Sequence, residues 1–194
     1  EEINNITLIW DAVDSRTTSS RSSGNRNRDC NSGVCLSIEN VDTDAGTLDI
    51  YMSNQAGCTY WDNGSWMFDT AIDSGDCDLA NGVYFNGEVG GFSFQLFGIT
   101  VTGENGGSAV DNGFVINTQT ATYNADTDTQ LPNILAFSLT GAIIPSGDGV
   151  LITVKFSDFV GLNICFGESE VANTVSDSEG SSLSTTWSEC ICLD

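Results

Sequence analysis

The chain of 194 residues contains no histidine. That absence removes the usual base of serine and cysteine nucleophiles and the commonest zinc ligand, and no Cys-x-x-Cys pair compensates for it. Basic residues number only 5 against 27 acidic ones, which sets a formal charge of −22 and a pI near 4.1. Nucleic acid is not an expected partner, because phosphate binding needs lysine and arginine spread over a surface. No apolar run approaches the roughly 20 residues of a membrane helix. Prolines number 2, and no sustained helical period marks an amphipathic helix. An enzyme is not expected: paired carboxylates would suffice for a glycosidase, but nothing among the acids marks a pair.

What is present reads as β structure. Hydrophobic residues make up 40% and charged residues 16%, and 21 glycines break the chain into short pieces. Short runs rich in Val, Ile, Thr and Phe alternate with Gly, Asn, Asp and Ser clusters. The length suits one domain with a sizeable core. Runs at residues 34–38, 46–53, 89–96, 99–102, 113–117, 134–140, 150–156, 161–166, 171–176 and 183–187 are expected strands of an antiparallel, two-sheet, jelly-roll-type sandwich. Residues 55–88 interrupt that pattern and read as an insertion.

The positive charge is confined to one place. Arg16, Arg21, Arg26 and Arg28 lie in a polar stretch, residues 15–33, whose only apolar anchor is Cys30. Lys155 is the sole cation of the rest. Such a stretch reads as a linker or functional loop. Ahead of it, within residues 1–14, residues 3–13 alternate: Ile6, Leu8, Trp10 and Ala12 share one face, while Asn5, Thr7 and Asp11 fall on the other. The expected organisation is a detachable N-terminal strand, a basic tether and an acidic body over residues 34–194.

Seven cysteines in a chain without zinc spacing point to an oxidising compartment. Cys30 with Cys35 and Cys58 with Cys77 are the expected local pairs. Cys165 is expected to reach the C-terminal pair, Cys190 before Cys192, and one cysteine is left over. The sequons at Asn5 and Asn63 agree with a secreted glycoprotein. A chain that starts with Glu is what a secreted protein shows after its leader is removed.

Several stretches of the body resemble cohesin-like domains, the jelly-roll sandwiches related to some carbohydrate-binding modules. They are Gly46-Thr-Leu-Asp-Ile-Tyr-Met-Ser, Val89-Gly-Gly-Phe-Ser-Phe-Gln-Leu, Gly98-Ile-Thr-Val-Thr-Gly, Ile134-Leu-Ala-Phe-Ser-Leu-Thr-Gly, Ile144-Pro-Ser-Gly-Asp-Gly-Val-Leu and Val175-Ser-Asp-Ser-Glu-Gly-Ser-Ser-Leu. The resemblance implies an extracellular sandwich of the kind that holds dockerin modules on a sheet face. The chain departs from it in the long 55–88 segment, the added strand and tether, and its many cysteines. No dockerin-binding residue is therefore carried over.

Two clusters are candidate sites. Tyr60, Trp61, Trp66 and Phe68 gather within the insertion; such aromatics stack on sugars, anchor a protein partner, or pack under their own loop. Asp42, Asp44 and Asp49, and separately Asp73, Asp76 and Asp78, have spacings open to Ca²⁺, but neither set completes an EF-hand pattern, turn chemistry is the preferred reading, and no cofactor is expected. The expected function is a secreted, non-enzymatic structural subunit. Residues 3–13 of one copy add as a strand to the next and build a homopolymeric filament, with Ile6, Leu8, Trp10, Ala12 and the four arginines as contacts. The alternative is a monomeric cohesin-like module that binds carbohydrate or a partner protein.

Overall fold

A computed structural model describes residue 30, residues 32–119, 122–124, 129–131, 133–159 and 163–193. The strand expected over residues 3–13, the four tether arginines and the Asn5 sequon lie outside the described residues.

The strands run β1 (Val34–Asp42), β2 (Thr47–Asn54), β3 (Gly57–Asp62), β4 (Ser65–Asp69), β5 (Val83–Phe85) and β6 (Gly91–Phe94). Then come β7 (Leu96–Phe97), β8 (Thr100–Asn105), β9 (Val115–Thr118), β10 (Thr122–Asn124), β11 (Thr129–Leu131) and β12 (Ile134–Phe137). The last five are β13 (Gly147–Ser157), β14 (Asn163–Phe166), β15 (Thr174–Ser176), β16 (Thr185–Trp187) and β17 (Ile191–Cys192). Two short helices, α1 (Ser74–Leu79) and α2 (Gly107–Asp111), are too brief to have shown a helical period in the sequence.

Two sheets form the sandwich. One has the order β16-β1-β2-β13-β8 and the other β15-β6-β12-β9. Nearly all pairs are antiparallel, as expected; β1 with β16 is a parallel exception, which the spacing of the runs could not show. Alternation drives the packing. In β2, Leu48, Ile50 and Met52 point inward and their neighbours outward. Val34, Leu36 and Ile38 of β1 and Val154 of β13 complete that inner face, and Phe92, Phe94, Ile134, Ala136 and Val175 come from the other sheet. A bulge between Val150 and Ile152 lets the consecutive Leu151 and Ile152 both reach the interior. Each such side chain contributes roughly 1.5–3 kcal/mol on burial. Phe94 is the aromatic centre, stacked on Phe92 at 5.9 Å and edge-on to Phe166 and Trp187 at 5.6 and 6.2 Å.

Buried amides tie loops to this frame. Asn54 Nδ2 donates to the carbonyls of Gly87 and Pro145, at 2.5 and 2.8 Å. Asn133 takes the N–H of Leu96 at 2.9 Å and donates to its carbonyl at 3.1 Å. Three disulfides close Cys30–Cys35, Cys58–Cys77 and Cys165–Cys190, and Cys192 is a free, exposed thiol. Among the described residues, no helix is long and apolar enough to cross a membrane.

Candidate functional site: an exposed aromatic hairpin

Residues 55–88, where the sequence shows no clear strand pattern, contain strands of their own. They fold into a small sheet of order β4-β3-β5 with α1 on one side. The pattern is hard to see because apolar residues occupy both faces, and both faces keep exposed side chains.

The hairpin turns at Asn63-Gly64. Both residues adopt positive φ, 47° and 92°, which is the requirement of the tight turn that matches strand twist. The register then places Trp61 opposite Trp66, Tyr60 opposite Met67 and Thr59 opposite Phe68. On the other side of β3, Gly57 meets Phe85 and Thr59 meets Val83. Alternation sorts these into two faces. Thr59, Trp61, Trp66, Phe68, Val83 and Phe85 share the first. Cys58, Tyr60, Met67 and Tyr84 share the second.

The second face is sealed at Cys58, while Met67 and Tyr84 on it stay 45% and 37% exposed. Cys58 and Cys77 are completely buried, and their disulfide clamps α1 against it. Asp73 caps that helix, its Oδ1 accepting the Asp76 N–H at 2.9 Å. The first face is open. Trp61 is 57% exposed, Trp66 62% and Val83 71%, and the two indoles meet edge to face at 5.3 Å and 76°. At its base the half-buried rings of Phe68 and Phe85 lie against Gly33 and Gly57, which joins the hairpin to the start of β1. Asn63, the sequon residue, sits exposed at the tip.

Of the aromatics singled out in the sequence, Trp61 and Trp66 therefore form one site, Phe68 roots it, and Tyr60 faces away. Val83 was missed, although Val83-Tyr84-Phe85 between Gly82 and Asn86 is a β-branched and aromatic triplet bounded by turn residues. A second exposed apolar group was also missed: Val115, Leu135, Phe137 and Leu139 on the outer side of β9 and β12 and just beyond.

Three of the carboxylates considered for Ca²⁺, Asp42, Asp49 and Asp73, accept hydrogen bonds from the chain itself. Asp42 Oδ1 accepts the Ala45 N–H at 2.8 Å, and Asp49 accepts from Thr153 Oγ1 at 2.6 Å and Asn40 Nδ2 at 2.8 Å. Among the described residues, no three acidic or cysteine side chains converge as ligands.

No protein-family description matches the chain, and no curated protein does. Solved structures do resemble it. CaCohA2, in its complex with CaDoc0917, is 14% identical, covers 83% of this chain and 99% of its own, and superposes with a TM-score of 0.40. A non-cellulosomal cohesin from the hyperthermophilic archaeon Archaeoglobus fulgidus is 12% identical, covering 79% and 85%, with a TM-score of 0.38. The Coh-OlpA–Doc918 complex from Clostridium thermocellum, a type I cohesin–dockerin complex, is 15% identical over 83% and 99%, again at 0.38. All three are cohesin domains, the class of sandwich that the sequence resembles.

Proposed function

We propose that this chain is a secreted, non-enzymatic binding module that engages a protein partner through the open face of the aromatic hairpin. The exposure of Trp61, Trp66 and Val83 on a disulfide-clamped sheet carries the reading. Rigid aromatic anchors of this kind dominate protein interfaces, because they bury a large area while losing little conformational freedom. The edge-to-face angle of 76° offers no flat platform for a sugar ring, so a protein is preferred over a carbohydrate. The test presents the purified chain to extracellular proteins of the organism that makes it, and to an oligosaccharide array. A protein partner is expected, bound at least tenfold more weakly by the double variant Trp61→Ala/Trp66→Ala. Undiminished binding by the variant would end this reading, and array binding lost in the variant would replace the protein with a sugar.

A second reading is self-assembly by strand addition, with the filament as its product. One observation favours it. The described residues from Val34 onward form a continuous core that includes Val34, Leu36 and Ile38, and the sequence carries a further apolar face in residues 3–13. Electron microscopy of purified native material tests it: filaments are expected, and uniform isolated particles would exclude them.

A further inference from the structure

Four strands bound the two main sheets: β8, β9, β15 and β16. Unpaired strand edges attract other strands, and proteins normally blunt them with charge, proline, brevity or cover. β8 carries Glu104. β15 is bridged on its free side, Ser176 to Ser182. β16 is only 3 residues long. β9, Val-Ile-Asn-Thr, has no charge and no proline, lies near β8, and among the described residues pairs with no strand other than β12.

The hydrogen bonding of β9 shows what its edge presents. Gln119 N–H donates to the Asn133 carbonyl at 2.9 Å. The register keeps Asn117 opposite Leu135 and Val115 opposite Phe137. Bonded and non-bonded pairs alternate in an antiparallel ladder, so Val115, Asn117 and Gln119 turn their backbone groups toward β12. Ile116 and Thr118 consequently turn theirs to the free edge. Beside that edge, on the outer face, stand Val115, Leu135 and Phe137, all exposed, with Leu139 80% exposed just beyond. A backbone donor row next to an apolar strip is what strand addition requires.

We infer that the free edge of β9, with the strip Val115, Leu135 and Phe137, is the acceptor for residues 3–13 of a second copy of this chain. The inference rests on the self-assembly reading and names its site. The occupant follows from the chain outside the described residues. Residues 3–13 alternate with an apolar face of Ile6, Leu8, Trp10 and Ala12. The tether leaves the body at Cys30, which is bonded to Cys35 on β1, in the sheet that does not contain β9. Extended, residues 15–29 reach about 50 Å, well beyond the radius of gyration of about 15 Å for a body of this size. They carry Arg16, Arg21, Arg26 and Arg28 toward a surface whose charged residues, apart from Lys155, are all acidic. The donor strand and the acceptor edge are different surfaces, so the contact is heterologous and propagates from copy to copy.

The test uses the full chain and a fluorescein-labelled peptide of residues 3–13. Thr118→Pro removes an N–H that the ladder with β12 does not use, and Phe137→Lys charges an already exposed position. Each is expected to weaken self-association and peptide binding at least tenfold, measured by sedimentation velocity and fluorescence anisotropy, with the thermal midpoint unchanged. If Thr118→Pro lowers that midpoint, Leu135→Lys takes its place. Leu8→Asp abolishing assembly while both edge variants assemble like the wild type overturns the assignment of β9 and retains strand addition. A wild type that is monomeric at every concentration and binds no peptide overturns both. A monomer that binds the peptide only above saturating competition from its own N-terminus means the segment folds onto its own body, which overturns the second-copy assignment.

Discussion

Gly82 lies where the two sulfurs of the Cys58–Cys77 bridge approach the β5 backbone. A Cβ there would stand 2.5 Å from Cys58 Sγ and 2.8 Å from Cys77 Sγ. Neither sulfur can retreat, since both are buried. Gly82→Ala is therefore expected to destabilise the protein by about 1–3 kcal/mol, as overpacking does, read from the urea midpoint. Phe94 poses the opposite case. It is wholly buried and touches three other rings. Phe94→Ala should cost about 3–5 kcal/mol by leaving a cavity. The exposed indoles act more weakly on stability: a double-mutant cycle on Trp61 and Trp66 should yield a coupling of about 0.5–1.5 kcal/mol. That small value, beside a large loss of partner binding, separates a contact pair from a folding pair.

At the scale of elements, the hairpin is a platform built from a tight turn, a clamp and a root. The disulfide spans a sequence separation of 19. Replacing Cys58 and Cys77 by serine should cost about 3 kcal/mol through the released loop entropy. The loss should appear as faster amide exchange in β3, β4 and β5 than in β2 or β13. Exchange rising equally throughout would mean that the small sheet folds only with the sandwich. The turn was overlooked, since Asn63 was read only as a sequon, although Asn-Gly between Asp62 and Ser65 is the strongest short hairpin signal. The strands around it were not legible. Cys58 looks apolar for the helix it is bonded to, while Trp61, Trp66, Met67 and Val83 look apolar and stand exposed. A local pattern cannot tell those causes apart.

At the scale of the molecule, charge is separated into a basic tether and an acidic body. If the tether approaches neighbouring bodies, association should slow as salt rises. Exposed pairs are worth about 0–1 kcal/mol each and are screened within roughly 10 Å at 0.1 M salt. The rate of assembly should thus fall more than the stability of the finished product, which light scattering at low and high salt measures; identical kinetics would make the arginines a solubilising linker. The division between sequence and fold is physical. The sequence by itself determined the β class and the positions of most body strands, because period-two burial in β2 and β12 is written residue by residue. The local Cys58–Cys77 bracket was readable for the same reason of nearness. Tertiary structure alone decided the parallel pairing of β1 with β16 and the order of strands within each sheet. It also decided which apolar side chains were left outside. Leu135 and Ile134 are adjacent and equally apolar, yet only Ile134 is buried. Which of the two faces the core depends on sheets that meet across the sandwich from residues far apart in the chain, and no local window contains that information.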